Sequence, residues 1–196
     1  MPPIDTAAVP MADATAPAEP AFTPRQFRNA MGQFATGVVV IATEHDGHAH
    51  AMTANAFMSG SLEPPLVLVS VACTARMHDK IRAAGHFSIS MLAEHQLAVS
   101  NHFAGKPTPG QQPAFERLGG LPVVRGAVLQ LAAALEHAYP CGDHTLFVGR
   151  ALALQGPADA PPPLLFHGGR YSQLHGAPGS DGRVPDGFST SHEQLW

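Results

Sequence analysis

Between Ala51 and Val71 the chain gathers small residues and hydroxyls into one short run. It breaks at Pro64-Pro65 and then alternates apolar positions through Leu66, Leu68 and their neighbours. Hydroxyls, an amide and exposed backbone N–H groups in such a run suit a phosphate or the polar edge of an aromatic ring. A polar bulge between two strands is the other reading, because short motifs also arise without function.

The flanking segments extend the strand pattern. Thr23-Pro24-Arg25-Gln26 predicts a helix start: Thr23 caps, Pro24 fits the first turn, and Gln26 completes a capping box. Phe22 and Phe27 stand at the positions of a hydrophobic staple, and Phe27, Met31 and Phe34 share the helix face that follows. Val38 to Thr43 is a β-branched run that reads as a buried strand. Asp46-Gly47 is a hairpin signal, with a returning strand over Met52 to Phe57. Leu66–Val71 and Phe87–Leu92 read as strands, Arg76–Ala84 as a short helix stopped by Gly85, and Glu94–Phe103 as helical. Residues 105–122 carry Gly, Pro and Gln and read as a long loop. Leu129–His137, Leu146–Leu154 and Leu164–Leu174 complete a strand-rich second half. Many strands, few helices and no repeated βαβ unit predict an antiparallel barrel, and the absence of G-x-G-x-x-G excludes the usual dinucleotide crevice.

A chain of 196 residues reads as one domain, with a mobile Ala/Pro-rich tail over 1–21, a folded domain over 22–174 and a mobile tail over 175–196. A net charge of −4 gives no nucleic-acid footprint, and no apolar run approaches the roughly 20 residues of a membrane span. The N-terminus has no basic region or apolar core of a secretory signal. Cys73 and Cys141 demand no disulfide, so a cytoplasmic location is expected. His45, His48 and His50 cluster at the hairpin turn without metal-ligand spacing, so no metal site is expected.

Thr53-Ala54-Asn55-x-Phe57-x-Ser59-x-Ser61-x-x-Pro64-Pro65-Leu66 resembles the signature of flavin reductase-like proteins. Phe34-Ala35-Thr36-Gly37 precedes it; Gly85-His86-Phe87, Gln96 and Phe103-Ala104 follow. Gly142-Asp143-His144 with Gly149 resembles a second hallmark, and Pro163 to Phe166 with Gly169-Arg170-Tyr171 resembles the closing strands. The likeness spans residues 24–174. It implies a mainly β fold: an FMN-binding antiparallel split β-barrel with Greek-key connections, a few short peripheral helices, and flavin near a homodimer interface. It also implies hydride transfer from NADH or NADPH to FMN, with FAD or riboflavin open, and delivery of reduced flavin to a partner monooxygenase. A flavin-binding sensor or carrier without nicotinamide turnover is the alternative.

The resemblance assigns Thr53, Ala54 and Asn55 to the flavin. Ala56 stands where the family commonly has Ser and so removes one hydrogen bond of the family pattern. Ser59 and Ser61 alternate on one strand face toward the phosphate region, or are solvated. Ser70, Val71 and Ala72 run their backbone beside the ring, where small residues permit close approach. Arg76, at a helix start behind Thr74, is the candidate for the flavin phosphate, or an ordinary exposed arginine. His144 is the candidate catalytic residue, placed by the resemblance near the nicotinamide or flavin ring; Asp143, its neighbour on an extended strand, is expected to point away from it. Phe103 packs on the flavin or in the core, and Tyr171 and Arg170 reach the site, across a dimer interface.

Overall fold

The computed structural model describes residues 20–110 and 112–174, so the expected tails over 1–21 and 175–196 lie almost wholly outside the described residues. Helix α1 (Pro24–Met31) starts as the sequence predicts. Thr23 and Gln26 form the reciprocal capping box, and the Phe22 and Phe27 rings stack with centroids 5.6 Å apart. It buries none of its residues.

Seven strands form the main sheet: β2 (Val39–His45), β3 (His48–Ala54), β4 (Phe57–Leu62), β5 (Pro65–Ala72), β6 (His86–Met91), β9 (Leu129–Cys141) and β10 (His144–Gln155). Their order is β3-β2-β6-β9-β10-β5-β4, and every pairing is antiparallel. The edge strands β3 and β4 are consecutive in the chain, joined only by Asn55 and Ala56. Laid flat, six inter-strand spacings would hold those edges about 29 Å apart. The three Cα steps from Ala54 to Phe57 reach only about 11 Å. The sheet therefore curls until its edges meet without pairing, which is the expected split barrel. The same connection interrupts the single strand expected over Met52–Phe57.

Two apolar clusters fill the two sides of β2, which explains why its β-branched run is buried on both faces. Inside the barrel, Ile41, Val69, Val71, Phe87, Ile89 and Phe147 pack together, joined by Met77 and Ile81 from α2 (Arg76–Ala84). Gly85 ends α2 in the left-handed conformation at φ 69°. Outside, Val38, Val40, Leu92, Val124 and Leu164 pack beneath α3 (Leu97–Phe103) and a small sheet of β1 (Thr36–Gly37), β11 (Leu165–His167) and β12 (Arg170–Ser172).

The loop expected over 105–122 is partly a hairpin. Strands β7 (Phe115–Leu118) and β8 (Leu121–Val124) pair across Gly119-Gly120, both at positive φ, and β8 buries all four of its residues. The Gly, Pro and Gln of 105–114 masked a two-residue glycine turn between apolar runs. Among the described residues, no helix is long and apolar enough to cross a membrane.

Candidate functional site

The connection that closes the barrel also opens a cleft of about 380 Å³. Its walls come from Phe34–Val39, Asn55, Phe57, Met91, Leu92, Val128 and Pro163. Only two of these side chains are polar, and they are bonded to each other: Asn55 Nδ2 donates to Thr36 Oγ1 at 3.2 Å. Gly37 borders the same space, and a Cβ built there would meet no protein atom within 4 Å.

A row of small groups continues from the cleft around β5. The Ser70 amide donates to the Ala56 carbonyl at 3.1 Å. Ser70 and Ala72 share the half-buried face of β5, while Val69 and Val71 turn into the core. Val71 therefore has only backbone to offer a ligand. Ala72 pairs with His144 on β10, and the Cys73 amide donates to the Asp143 carbonyl at 2.9 Å. The row thus runs from Asn55-Ala56 through Ser70 and Ala72 to His144 on one side and the start of α2 on the other.

Asp143 and His144 do not point apart. Asp143 Oδ1 lies 2.7 Å from His144 Nδ1. Asp143 belongs to the β9–β10 turn, behind Gly142 at φ 62°, so strand alternation does not govern it. The hydrogen bond from His144, with the nearby imidazole, holds the Asp143 carboxyl below the ordinary carboxylate range. His144 is half-exposed and keeps Nε2 free of any protein partner the structure records.

At the start of α2, Arg76 is exposed and the cap residue is Ala75, not Thr74; no side chain caps the helix. The first-turn N–H groups of α2 thus have no side-chain cap, and a free helix start of this kind suits an anion. On β4, Ser59 and Ser61 share the half-buried face with Phe57, separated by a bulge at Gly60.

Three of the expected site residues turn their side chains away from this cleft. Thr53 turns its hydroxyl to the Ser100 carbonyl, 2.7 Å away on α3, leaving Ala54 on the barrel-facing side. Phe103 packs in the outer cluster, its ring 5.5 Å from that of Phe115. Tyr171 packs against Phe166 and bonds the buried Ser100 hydroxyl at 2.8 Å. Phe103 and Tyr171 therefore hold α3 in place and do not line the cleft; helical spacing had already allowed a core role for Phe103. Arg170 is exposed on β12.

His78 is a further residue near the site that no sequence motif marks. It is buried on α2, with Nε2 2.8 Å from Thr145 Oγ1 and Nδ1 2.8 Å from Asp79 Oδ1, and it ties α2 to the strand that carries His144. Its signal was its place two residues past Arg76, beside the buried Met77. At the hairpin, His50 Nε2 lies 3.1 Å from Lys80 Nζ. Among the described residues, no group of His, Cys, Asp and Glu could hold a metal ion.

This geometry belongs to a chain with many relatives. A family profile described as "Flavin reductase like domain" matches residues 31–175. An NADH-dependent flavin reductase from Rhodococcus is 43% identical over 159 residues, covering 80% of this chain and 89% of that protein. The reductase component of 4-hydroxyphenylacetate 3-monooxygenase from Thermus thermophilus is 40% identical over 148 residues, covering 76% and 95%. Among solved structures, the flavin reductase PheA2 superposes with a TM-score of 0.76 at 44% identity, covering 79% of this chain and all of that one.

Proposed function

The chain belongs to the flavin reductase-like family, and on that premise we propose that it is an NAD(P)H-dependent flavin reductase. It passes hydride from NADH or NADPH to FMN, with FAD or riboflavin as alternatives. It then yields reduced flavin to a partner flavin-dependent monooxygenase. The relatives named above, one of them a monooxygenase reductase component, support this reading.

The observation that carries it is the apolar cleft with a single polar pair, continuous with a row of small residues that ends at His144. The donor set fits a flavin. The cleft offers apolar walls, the Asn55 amide suits a ring edge with N–H and C=O groups, and Gly37 leaves space beside it. When bound, flavin and nicotinamide supply the hydride chemistry; the protein supplies binding, orientation and electrostatics.

Each group then has a defined task. Asn55 and the backbone of Thr53, Ala54 and Ala56 hold the ring edge. Ser70, Ala72 and the backbone of Val71 permit close approach. Ser59 and Ser61 on β4, with Arg76 and the first turn of α2, hold the polar chain and phosphate. Asp143 fixes the ring of His144 through Nδ1–H and leaves Nε2 toward the ligand. His144 presents Nε2 where negative charge develops, with the Asp143 carboxylate holding the ring from its other side. No strong general base is needed, because holding two rings face to face provides most of the rate.

The reading includes a homodimer. Phe22, Phe27, Met31 and Phe34, before, on and after α1, are 50%, 51%, 57% and 77% exposed, and Phe34 also walls the cleft. A second copy covering this face would bury it and complete the site. Light scattering of the flavin-loaded protein should give twice the chain mass; a flavin-competent monomer would contradict it. Cytoplasmic action accords with Cys73 and Cys141, both free and exposed.

The functional test is purified protein mixed anaerobically with NADH or NADPH and FMN, FAD or riboflavin. Bleaching of the flavin absorbance is expected. Stoichiometric flavin binding without nicotinamide oxidation would instead mark a flavin sensor or carrier.

A further inference from the structure

We infer that Thr36 is a positioning residue that presets the Asn55 amide to read the imide edge of the flavin ring. The inference rests on the flavin-reductase reading and deepens it at one site.

Asn55 is exposed, on the two-residue connection between β3 and β4. Its side-chain amide has one recorded partner, Thr36 Oγ1 at 3.2 Å. An exposed Asn with no partner samples several rotamers and loses that freedom when it binds. Thr36 removes the cost in advance because its own backbone is fixed. It pairs with Phe166 in the β1–β11 ladder, and the next residue but one, Val38, donates to Leu164 at 3.0 Å and accepts from Leu92 at 2.9 Å. The anchor is thus built from the rigid outer cluster, and the group it holds faces the cleft.

The bond also selects what Asn55 presents. One Nδ2 proton goes to Thr36; with the proton turned away from Oδ1 in that bond, the second Nδ2 proton and Oδ1 stand side by side. An adjacent donor and acceptor match an imide edge, where an N–H stands beside a C=O. The isoalloxazine ring carries such an edge, while every other wall of the cleft is apolar or backbone. The pair therefore carries the side-chain polar recognition in this cleft. A ligand whose imide nitrogen carries a methyl group loses the partner for Oδ1.

The test compares riboflavin with N3-methylriboflavin, both lacking the phosphate and so independent of Arg76. Binding is measured by flavin fluorescence on the wild type, Thr36→Val, Thr36→Ser and Asn55→Ala, with thermal melting of each variant. Thr36→Val should bind riboflavin about fivefold to tenfold more weakly, as expected for one lost hydrogen bond. Thr36→Ser should stay close to wild type. For N3-methylriboflavin, already weakened in the wild type, Thr36→Val should change little. Equal losses for both ligands, or unchanged riboflavin binding in a folded Thr36→Val, would overturn the inference while leaving the flavin-reductase reading intact. If Thr36→Val fails to fold, Thr36→Ala decides: Ala must weaken, and Ser must keep, the discrimination between the two ligands. A wild type that binds neither flavin would overturn both.

Discussion

Asp143 Oδ1 stands 2.7 Å from His144 Nδ1, although the two residues are neighbours in the chain. The turn that starts at Gly142 makes this possible, and it leaves Nε2 of His144 without a recorded protein partner. If this atom stabilises charge that appears only as hydride arrives, His144→Ala should lower the reduction rate far more than the affinity for oxidised flavin. A lost oxyanion-hole donor costs about 100-fold to 1,000-fold, and less at a partly solvated edge such as this one. Stopped-flow reduction at saturating NADH separates rate from binding. Asp143→Asn should cost less than His144→Ala, because it disturbs orientation and leaves the imidazole in place.

Arg76 and the uncapped start of α2 make a second prediction. Arg76→Ala should weaken FMN binding much more than riboflavin binding, since only FMN carries the phosphate. Titration with both ligands checks it, and equal losses would remove Arg76 from the phosphate site. Asn55→Ala should weaken both ligands alike, by roughly 1–3 kcal/mol if partner groups are left unpaired in the cleft.

Gly149, the last residue of the second hallmark, has a packing role. A Cβ there would lie 2.5 Å from Phe87 Cζ and 3.0 Å from Ala133 Cβ, and Phe87 is fully buried. Gly149→Ala should destabilise the fold by roughly 1–3 kcal/mol through overpacking. Calorimetry should show a lower Tm, while flavin affinity of the folded fraction is kept.

Much of this was legible in the sequence because the signals were local. The Thr23–Gln26 capping box, the Asp46-Gly47 turn and the Gly85 stop each act within one turn of chain, and each appears where the residues predict. The β7–β8 hairpin was hidden because composition over 105–114 outweighed the Gly119-Gly120 turn. At the site, sequence named the segments but not the direction of their side chains. Thr53 and Asn55 are two residues apart, yet Thr53 bonds α3 and Asn55 bonds β1. That difference depends on which elements pack outside β2 and β3, a long-range fact no local pattern carries. The Thr36–Asn55 and His78–Thr145 contacts were missed for the same reason.

His50 gives the fold a pH dependence. Burial, then Lys80 on α2, then His48 and His45 of the hairpin lower its pKa below the ordinary histidine value. The unfolded chain therefore takes up this proton first as pH falls. Stability should decline as pH drops below about 6.5, until His50 itself is protonated. His50→Gln should flatten that part of the profile, as measured by urea unfolding at successive pH values. An unchanged slope would exclude His50 as its source.

The central claim is that this cleft reduces flavin with nicotinamide, and single-turnover reduction under anaerobic conditions tests it most directly. FMN bound to the wild-type protein should bleach on mixing with NADH or NADPH, with one nicotinamide oxidised per flavin. Flavin that stays oxidised on the folded protein with either nicotinamide would contradict the account.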